Sequence, residues 1–434
     1  MLNLRSNWLF ICLVLLTTAM EAQSRFTNVR IDAQESLFTY PTCEPSIAIS
    51  RKHPGVMVAG SILNNVYVSE DGGQSWEKDQ LESKYGVFGD PCVVAGAKGD
   101  FYYLHLSDPK GLNRGSDAWL DRIVCQRSRD KGDNWSDGGS IGLNGTADQD
   151  KEWAVVAPSG KRIYTTWTQF DKYDSREPGD STLILFSCSN RRAQRWSKPV
   201  RISAKAGDCV DDDQTVEGAV PAVGPNGEIY VAWALNSDIW FDKSTDGGKT
   251  WREQDIRAGS IVAGWSQDIP GISRCNGMPV TDCDLSSGPH RGTIYINYTD
   301  QVNGENDTDV FLIKSNDGGD SWTDPIKVNQ DNSGRHQFFT WMVVDQATGY
   351  LYFVYYDRQH YSDNRTDVSL AVSRDGGATF ETEIISESPF VPIEEAFFGD
   401  YNDIDAYQGV VRPIWTRQDK GLASVWTALI EINE

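Results

Sequence analysis

Short apolar runs rich in Val, Ile, Tyr, Phe and Trp recur along the whole chain, each bounded by Gly, Asn or Asp. Three precede each aromatic-ended turn phrase: 45–50, 56–61 and 65–69 in the first unit, and 219–224, 228–234 and 238–244 in the fourth. Runs this short, punctuated by turn residues, predict strands and not helices. The same grammar gives six units that end in a turn phrase. A seventh, at 400–407, 410–416 and 424–430, has none.

The phrase is Ser-x-Asp-x-Gly-x-x-Trp/Phe. It starts at Ser69, Ser128, Ser244, Ser315 and Ser373, and a worn copy runs from Ser189 to Trp196 with Arg191 at the Asp position and Ala193 at the Gly position. Self-similarity at this period marks a repeat architecture. The Asp can bond turn amides, the Gly can take a positive φ, and the aromatic can plug between neighbouring sheets. The phrase resembles the Asp box of the sialidase and BNR-repeat superfamily of β-propellers, which closes the turn between the third and fourth strands of a blade, on the face away from the active site. The resemblance implies an all-β β-propeller of four-stranded antiparallel blades, and the count of seven units makes it seven-bladed, with six blades, the number in catalytic sialidases, as the alternative. The seventh unit lacks a fourth strand and residues 26–31 form a spare one, so pairing the two would close the ring and remove two open sheet edges.

Residues 1–22 carry Arg5 and then an apolar run too short to span a bilayer, the order of a cleavable secretory signal. The expectation is a secreted or periplasmic monomer with one propeller domain at 23–434 and no membrane span. A formal net charge of −22 argues against nucleic acid as a partner. It also means that an anionic ligand needs a local cationic pocket. Of the seven cysteines after residue 22, Cys275 and Cys283 are the expected disulfide pair.

In a propeller the innermost strand of each blade starts at the ligand-binding mouth and the second strand returns to it. Mouth positions are then Glu44, Asp90, Lys151, Glu152, Glu217, His336, Asp400 and Tyr401 from first strands, and His105, Trp167, Trp233, Tyr356 and Arg358 among those from second strands. The long connections 108–120, 170–180, 202–216 and 252–277 fall on the same side, where binding surfaces form. Phe-Gly-Asp occurs twice, placing Asp90 and Asp400 at central strand starts. Several carboxylates around one channel must pair with Lys151 or an Arg, take a raised pKa, or bind a cation. The cofactor is left open, with structural calcium as a candidate at the oxygens of 211–213, 307–309 and 365–367, although none has an EF-hand spacing.

His105, His336 and Tyr401 are the candidate proton-transfer groups. Arg274, Arg358 and Arg417, with Lys151, Glu217, Asp90 and Asp400, are the candidate substrate-binding groups, since Arg can fork onto a carboxylate. Trp167, Trp233 and Tyr356 are candidate stacking surfaces for sugar rings. Sialidases hold the substrate carboxylate with three arginines and use a Tyr/Glu nucleophile pair with an Asp acid/base. Their Arg-Ile-Pro is here only Arg30-Ile31-Asp32. The seven-unit count looks like the propeller lyases of uronic-acid polysaccharides such as ulvan. There a His or Tyr removes the proton α to a carboxylate neutralised by Arg. The expected function is thus a secreted enzyme acting on an acidic, uronate-containing oligo- or polysaccharide by β-elimination, as lyase or dehydratase. A sialidase-like exo-glycosidase is the first alternative, and a non-catalytic glycan- or protein-binding propeller the second.

Overall fold

Residues 25–432 are described by a computed structural model. Seven four-stranded antiparallel sheets stand around a central channel, each running in chain order from its inner to its outer strand through the first six blades. The inner strands are Ser46–Ile49, Cys92–Ala95, Asp148–Val156, Glu217–Val223, Val280–Cys283, Gln337–Val344 and Asp403–Tyr407. In blade seven, Asp403–Tyr407, Val410–Asp419 and Leu422–Glu431 are completed by Thr27–Ala33, which pairs antiparallel with Leu422–Glu431. The ring therefore closes as the spare N-terminal strand predicts, with the strand starting one residue later and ending two later than 26–31. The expected signal segment at 1–22 lies outside the described residues. Among the described residues no helix is long and apolar enough to cross a membrane.

Burial follows position in the blade. Both faces of an inner or second strand meet neighbouring blades, so Phe101–Leu106 and Ile229–Leu235 are buried throughout. The outer strand Glu77–Gln80 has no blade beyond it and is exposed throughout. Removing apolar area from water drives this arrangement, at roughly 25 cal/mol per Å².

The repeated phrase is a turn lock between third and fourth strands. Ser69 Oγ donates to Asp71 Oδ1 at 2.9 Å and accepts from the Gly73 amide at 2.9 Å. Asp71 also accepts from the Ser75 amide (3.0 Å) and hydroxyl (2.6 Å), and the Trp76 indole donates to the Gly73 carbonyl at 3.0 Å. These hydrogen bonds hold the exposed Asp71 carboxyl at about 2. The worn copy keeps the turn by other means: Ala193 takes the left-handed conformation (φ 56°), Ser189 Oγ donates to the Arg195 carbonyl (2.7 Å), and the Trp196 indole donates to the Ala193 carbonyl (3.1 Å).

Buried carboxyls fasten blade to blade. Asp403 Oδ2 accepts from the Ser46 hydroxyl (2.8 Å) and the Ile47 amide (2.9 Å), Asp405 accepts from the Ile49 amide (2.7 Å), and Asp282 accepts from the Val344 amide (2.8 Å). Each satisfies an inner-strand amide that has no ladder partner on the channel side.

The expected Cys275–Cys283 disulfide does not form, and all seven described cysteines are free thiols. Cys275 lies in Cys275–Asn276, before the inner strand of blade five, whereas Cys283 ends that strand, Val280–Cys283. Cys275 lies beside Phe339 at the start of the inner strand of blade six, whereas the Cys283 carbonyl accepts from Gln346 just past its end, so a strand's length of about 20 Å separates two residues whose Cα atoms a disulfide needs within ~7 Å.

Candidate functional site

A charged residue takes the left-handed backbone region at the mouth end of three inner strands: Glu44 (φ 53°) and Asp90 (φ 48°), each two residues before the strand of blades one and two, and Lys151 (φ 53°), inside Asp148–Val156 of blade three. Such a conformation costs a non-glycine residue about 1–3 kcal/mol and persists only where its surroundings impose it. In blade three the imposed feature is a bulge. Asp150 pairs with Thr168 and Trp153 with Thr166, so Lys151 and Glu152 together oppose a single residue. The bulge re-aims Lys151 into a cavity of about 380 Å³ at the channel mouth, lined also by Glu44, Asp90, Asp150, Arg274 and Asp400.

Asp400 is the hub. Its carboxylate accepts from Lys151 Nζ at 2.6 Å and from Arg274 through both Nε (2.8 Å) and a second guanidinium nitrogen. Its amide donates to Glu44 at 3.1 Å, and its carbonyl accepts from Asn276 Nδ2 at 2.8 Å. Arg274 also donates to Asp211 at 2.8 Å, and the Tyr173 hydroxyl donates to the same Asp211 oxygen at 2.7 Å. Burial pushes the Asp400 carboxyl up, but the Arg274 and Lys151 charges outweigh it and hold it at about 2.

The other carboxyls go the opposite way, because two buried cations cannot neutralise them all. Burial and the negative Asp400 push Glu44 up to about 7. Burial and Glu44 push Asp90 up to about 7, against a hydrogen bond from Asp150. Burial, then the Asp90 charge, raises Asp150 well above the usual range, and burial, then Asp211, does the same to Glu217. Burial and neighbouring negative charge thus favour the protonated form of Asp150 and of Glu217. Of these groups Asp90 is the one partly open to solvent.

The cavity walls are aromatic and come from the long mouth loops. Trp119 stands edge-on to Phe88 at 5.6 Å and to Tyr173 at 6.0 Å. The Arg114 guanidinium lies 5.4 Å over each of the Trp119 and Tyr173 rings and meets Asp174 at 3.4 Å, while Arg274 lies 5.7 Å over Phe397. Below, Tyr401 stands edge-on to Trp153 at 4.9 Å and beside Trp341. These three rings plug the channel between this cavity and a separate one that opens on the opposite face.

Of the residues expected at the mouth, the structure brings Asp90, Lys151, Arg274 and Asp400 together, along with Glu44. Glu217 lies beneath them with no exposed surface. Tyr401 is buried under the cavity floor, its hydroxyl 3.4 Å from the Pro91 carbonyl. The two histidines are not brought to this site. His105 is fully enclosed in blade two, bonded to the Leu106 carbonyl (2.7 Å) and Gln126 (3.1 Å), and burial pushes its imidazole down to about 4. His336 is buried beside Thr308 (3.0 Å) and is likewise pushed down to about 4, by burial and then by Arg358.

Arg358 is buried against Phe338 and donates to Thr366 (3.0 Å) and the Pro270 carbonyl (2.9 Å), so both ends of its fork point into protein. Arg417 pairs with Asp419 at 2.6 Å on the edge of blade seven. Trp167 and Trp233 have no exposed surface and Tyr356 has 1%. Their second-strand positions turn them into the gaps between blades, where the Trp167 indole donates to Gln149 (2.7 Å) and the Tyr356 hydroxyl to the Thr416 carbonyl (2.9 Å). They cannot stack on a sugar. Arg114, Trp119, Tyr173 and Phe397 line the cavity instead. The signal for the first three in the sequence was membership of long mouth loops, which gives the side of the ring but not the residue, and Phe397 lies outside those loops.

In each of the three segments considered for calcium, one aspartate is engaged by protein donors. Asp211 accepts from Arg274 and Tyr173, Asp309 from Lys327 (2.6 Å) and Asn329 (2.7 Å), and Asp367 from Tyr361 (2.7 Å) and Ser386 (2.9 Å).

No family model matches the chain. Among solved structures it is similar to a protein of unknown function from Dyadobacter fermentans, at 12% identity and a TM-score of 0.49 over 95% of this chain and 99% of that one. It is also similar to a Trypanosoma rangeli sialidase in complex with sialic acid, at 13% identity and a TM-score of 0.47, covering 88% of this chain and 59% of the other. A third is the Hadza microbial sialidase Hz136, at 14% identity and a TM-score of 0.47 over 86% and 73%.

Proposed function

We propose that the mouth cavity binds an acidic saccharide and that Asp90 exchanges a proton with it, with β-elimination at a uronate as the reaction. The observation that carries this reading is the partly exposed Asp90 carboxyl, poised at about 7 beside Asp150, whose carboxyl burial also raises, over a floor where Lys151 and Arg274 already neutralise Asp400. A base is most effective when its pKa lies near the working pH.

Elimination needs few groups. Arg114, whose one ion-pair contact is a 3.4 Å approach to exposed Asp174, is placed at the rim to meet the uronate carboxylate. Ionised Asp90 takes the proton α to that carboxylate, the bond from C4 to its oxygen substituent breaks, and the C4–C5 double bond forms. Glu44, protonated below about 7, returns a proton to the departing oxygen. The ring of Trp119 offers an apolar face for the pyranose.

Hydrolysis of a sialoside is the second reading, favoured by one contact. The Tyr173 hydroxyl donates to Asp211 at 2.7 Å beside Arg274, a tyrosine–carboxylate pair suited to nucleophilic attack. Incubation with polygalacturonate, alginate and other uronate polymers, followed by absorbance of a 4,5-unsaturated uronate, tests elimination. Release of free sialic acid tests hydrolysis. Neither product from any of these substrates, with saccharide binding unchanged in Asp90→Asn, would leave a binding propeller without catalysis.

A further inference from the structure

We propose that the face opposite the mouth carries a second binding site, for the sulfate or carboxylate groups of an anionic polysaccharide. The site is a cleft of about 460 Å³ between the lower edges of blades two and three. Six of its seven lining residues are cationic: Lys98, Arg127, Arg129, Lys161, Arg191 and Arg192, with Asn190 as the seventh. The chain as a whole has 40 Lys and Arg against 62 Asp and Glu, so scattered surface charge would not assemble such a cluster.

The worn turn phrase supplies its centre. Where the other five copies place the Asp that locks the turn, this copy has Arg191, and Ala193 keeps the turn left-handed without it. A local rule broken where the fold does not require it marks a functional position. Arg191 Nε reaches Asp100 at 2.8 Å, and Arg127 reaches the other Asp100 oxygen at 2.7 Å. The buried Asp100 thus holds two guanidiniums side by side between the blades. Their remaining N–H groups, with the exposed Lys98, Arg129, Lys161 and Arg192, are left to meet an anion.

Paired forks suit the planar or tetrahedral oxygens of carboxylate and sulfate. The restricted extent of the patch, in a molecule of net charge −22, favours a polymer whose anionic groups are spaced along sugar rings over the continuous charge of a nucleic acid. The choice of polymer rests on the reading of the mouth as a site for acidic saccharide. The second site would hold the same chain on the far side of the ring.

Affinity electrophoresis of the full protein through gels containing dextran sulfate or polygalacturonate tests the proposal. Wild type is expected to be retarded, less so as salt rises. The triple variant Arg129→Ala, Lys161→Ala and Arg192→Ala removes exposed side chains outside the Asp100 cluster, so it should melt at the wild-type temperature. Its apparent Kd should rise about tenfold or more. Lys249→Ala, an exposed cation outside both cavities, should be retarded as wild type. The proposal is overturned if neither polymer retards the wild type, if the triple variant runs as wild type, if Lys249→Ala loses as much retardation as the triple variant, or if single-stranded DNA of equal charge retards the protein as strongly. Retardation is read without turnover, so a failed elimination assay and a failed gel separate the two readings.

Discussion

Lys151 of blade three reaches across the channel mouth to Asp400 of blade seven, Nζ to Oδ2 at 2.6 Å, and both side chains are almost wholly buried. The pair links residues 249 positions apart in the chain. Breaking a buried ion pair from one side strands the other charge and costs about 3–5 kcal/mol. Asp400→Ala strands Lys151 and takes from Arg274 one of its two carboxylate partners, Asp211 remaining, and is expected to reach that range. Lys151→Met leaves Arg274 on Asp400 and should fall below it. Urea denaturation of the two variants checks the order, and equal losses would contradict the hub role of Asp400.

Asp90→Asn removes the partly exposed carboxyl of the mouth cavity that is raised to about 7. On the uronate substrate, the rising limb of the pH profile near 7 should vanish and kcat/KM should fall by about 10²–10⁴-fold. His105→Gln should leave the profile intact, because that imidazole is enclosed and neutral above about 4. A profile that changes with His105 and not with Asp90 would overturn the assignment.

Stability should be greatest at mildly acidic pH. Glu44, Asp90, Asp282 and Asp403 are each raised to about 7 by burial first, with added repulsion from carboxylate neighbours. The unfolded chain loses these protons near pH 4, whereas the folded protein keeps them until about 7. Stability therefore falls as pH rises from about 4 to about 7. Asp400, lowered to about 2, acts oppositely: its contribution is present above about 4 and is lost as pH falls towards 2. Melting temperatures between pH 3 and pH 8 should peak between these windows, and a maximum at pH 8 would refute the protonation scheme.

Trp119 and Trp167 have the same side chain in opposite roles. Trp119→Ala opens a cavity wall and is expected to weaken saccharide binding by about 0.5–1.5 kcal/mol, with little change in melting temperature. Trp167→Ala empties a fully buried site between blades two and three and should cost about 3–5 kcal/mol of stability. Isothermal titration and thermal melts of both variants separate the roles.

Strand count, turn positions and ring closure were legible because each depends on local chemistry. The phrase from Ser69 to Trp76 carries its own hydrogen bonds, and residues 26–31 had no sheet to join except the incomplete seventh. Strand direction also placed Asp90, Lys151 and Asp400 on one face. Direction does not say whether a side chain points into the lumen or into the next blade. Trp167, Trp233 and Tyr356 reach the mouth end of their strands yet face the gap, and His105 is enclosed in the same way.

The sequence alone determined seven repeated sheets and their polarity, since a turn lock and an apolar alternation act over a few residues and repeat wherever they are written. Which charges meet was decided only by the closed ring. Left-handed backbone at Glu44, Asp90 and Lys151 re-aims three carriers of charge, and loops from four distant places deliver Arg114, Tyr173, Asp211 and Arg274 to them. Coulombic partnership and desolvation depend on distance in space, and between blades three and seven that distance exists only once the last strand pairs with the first.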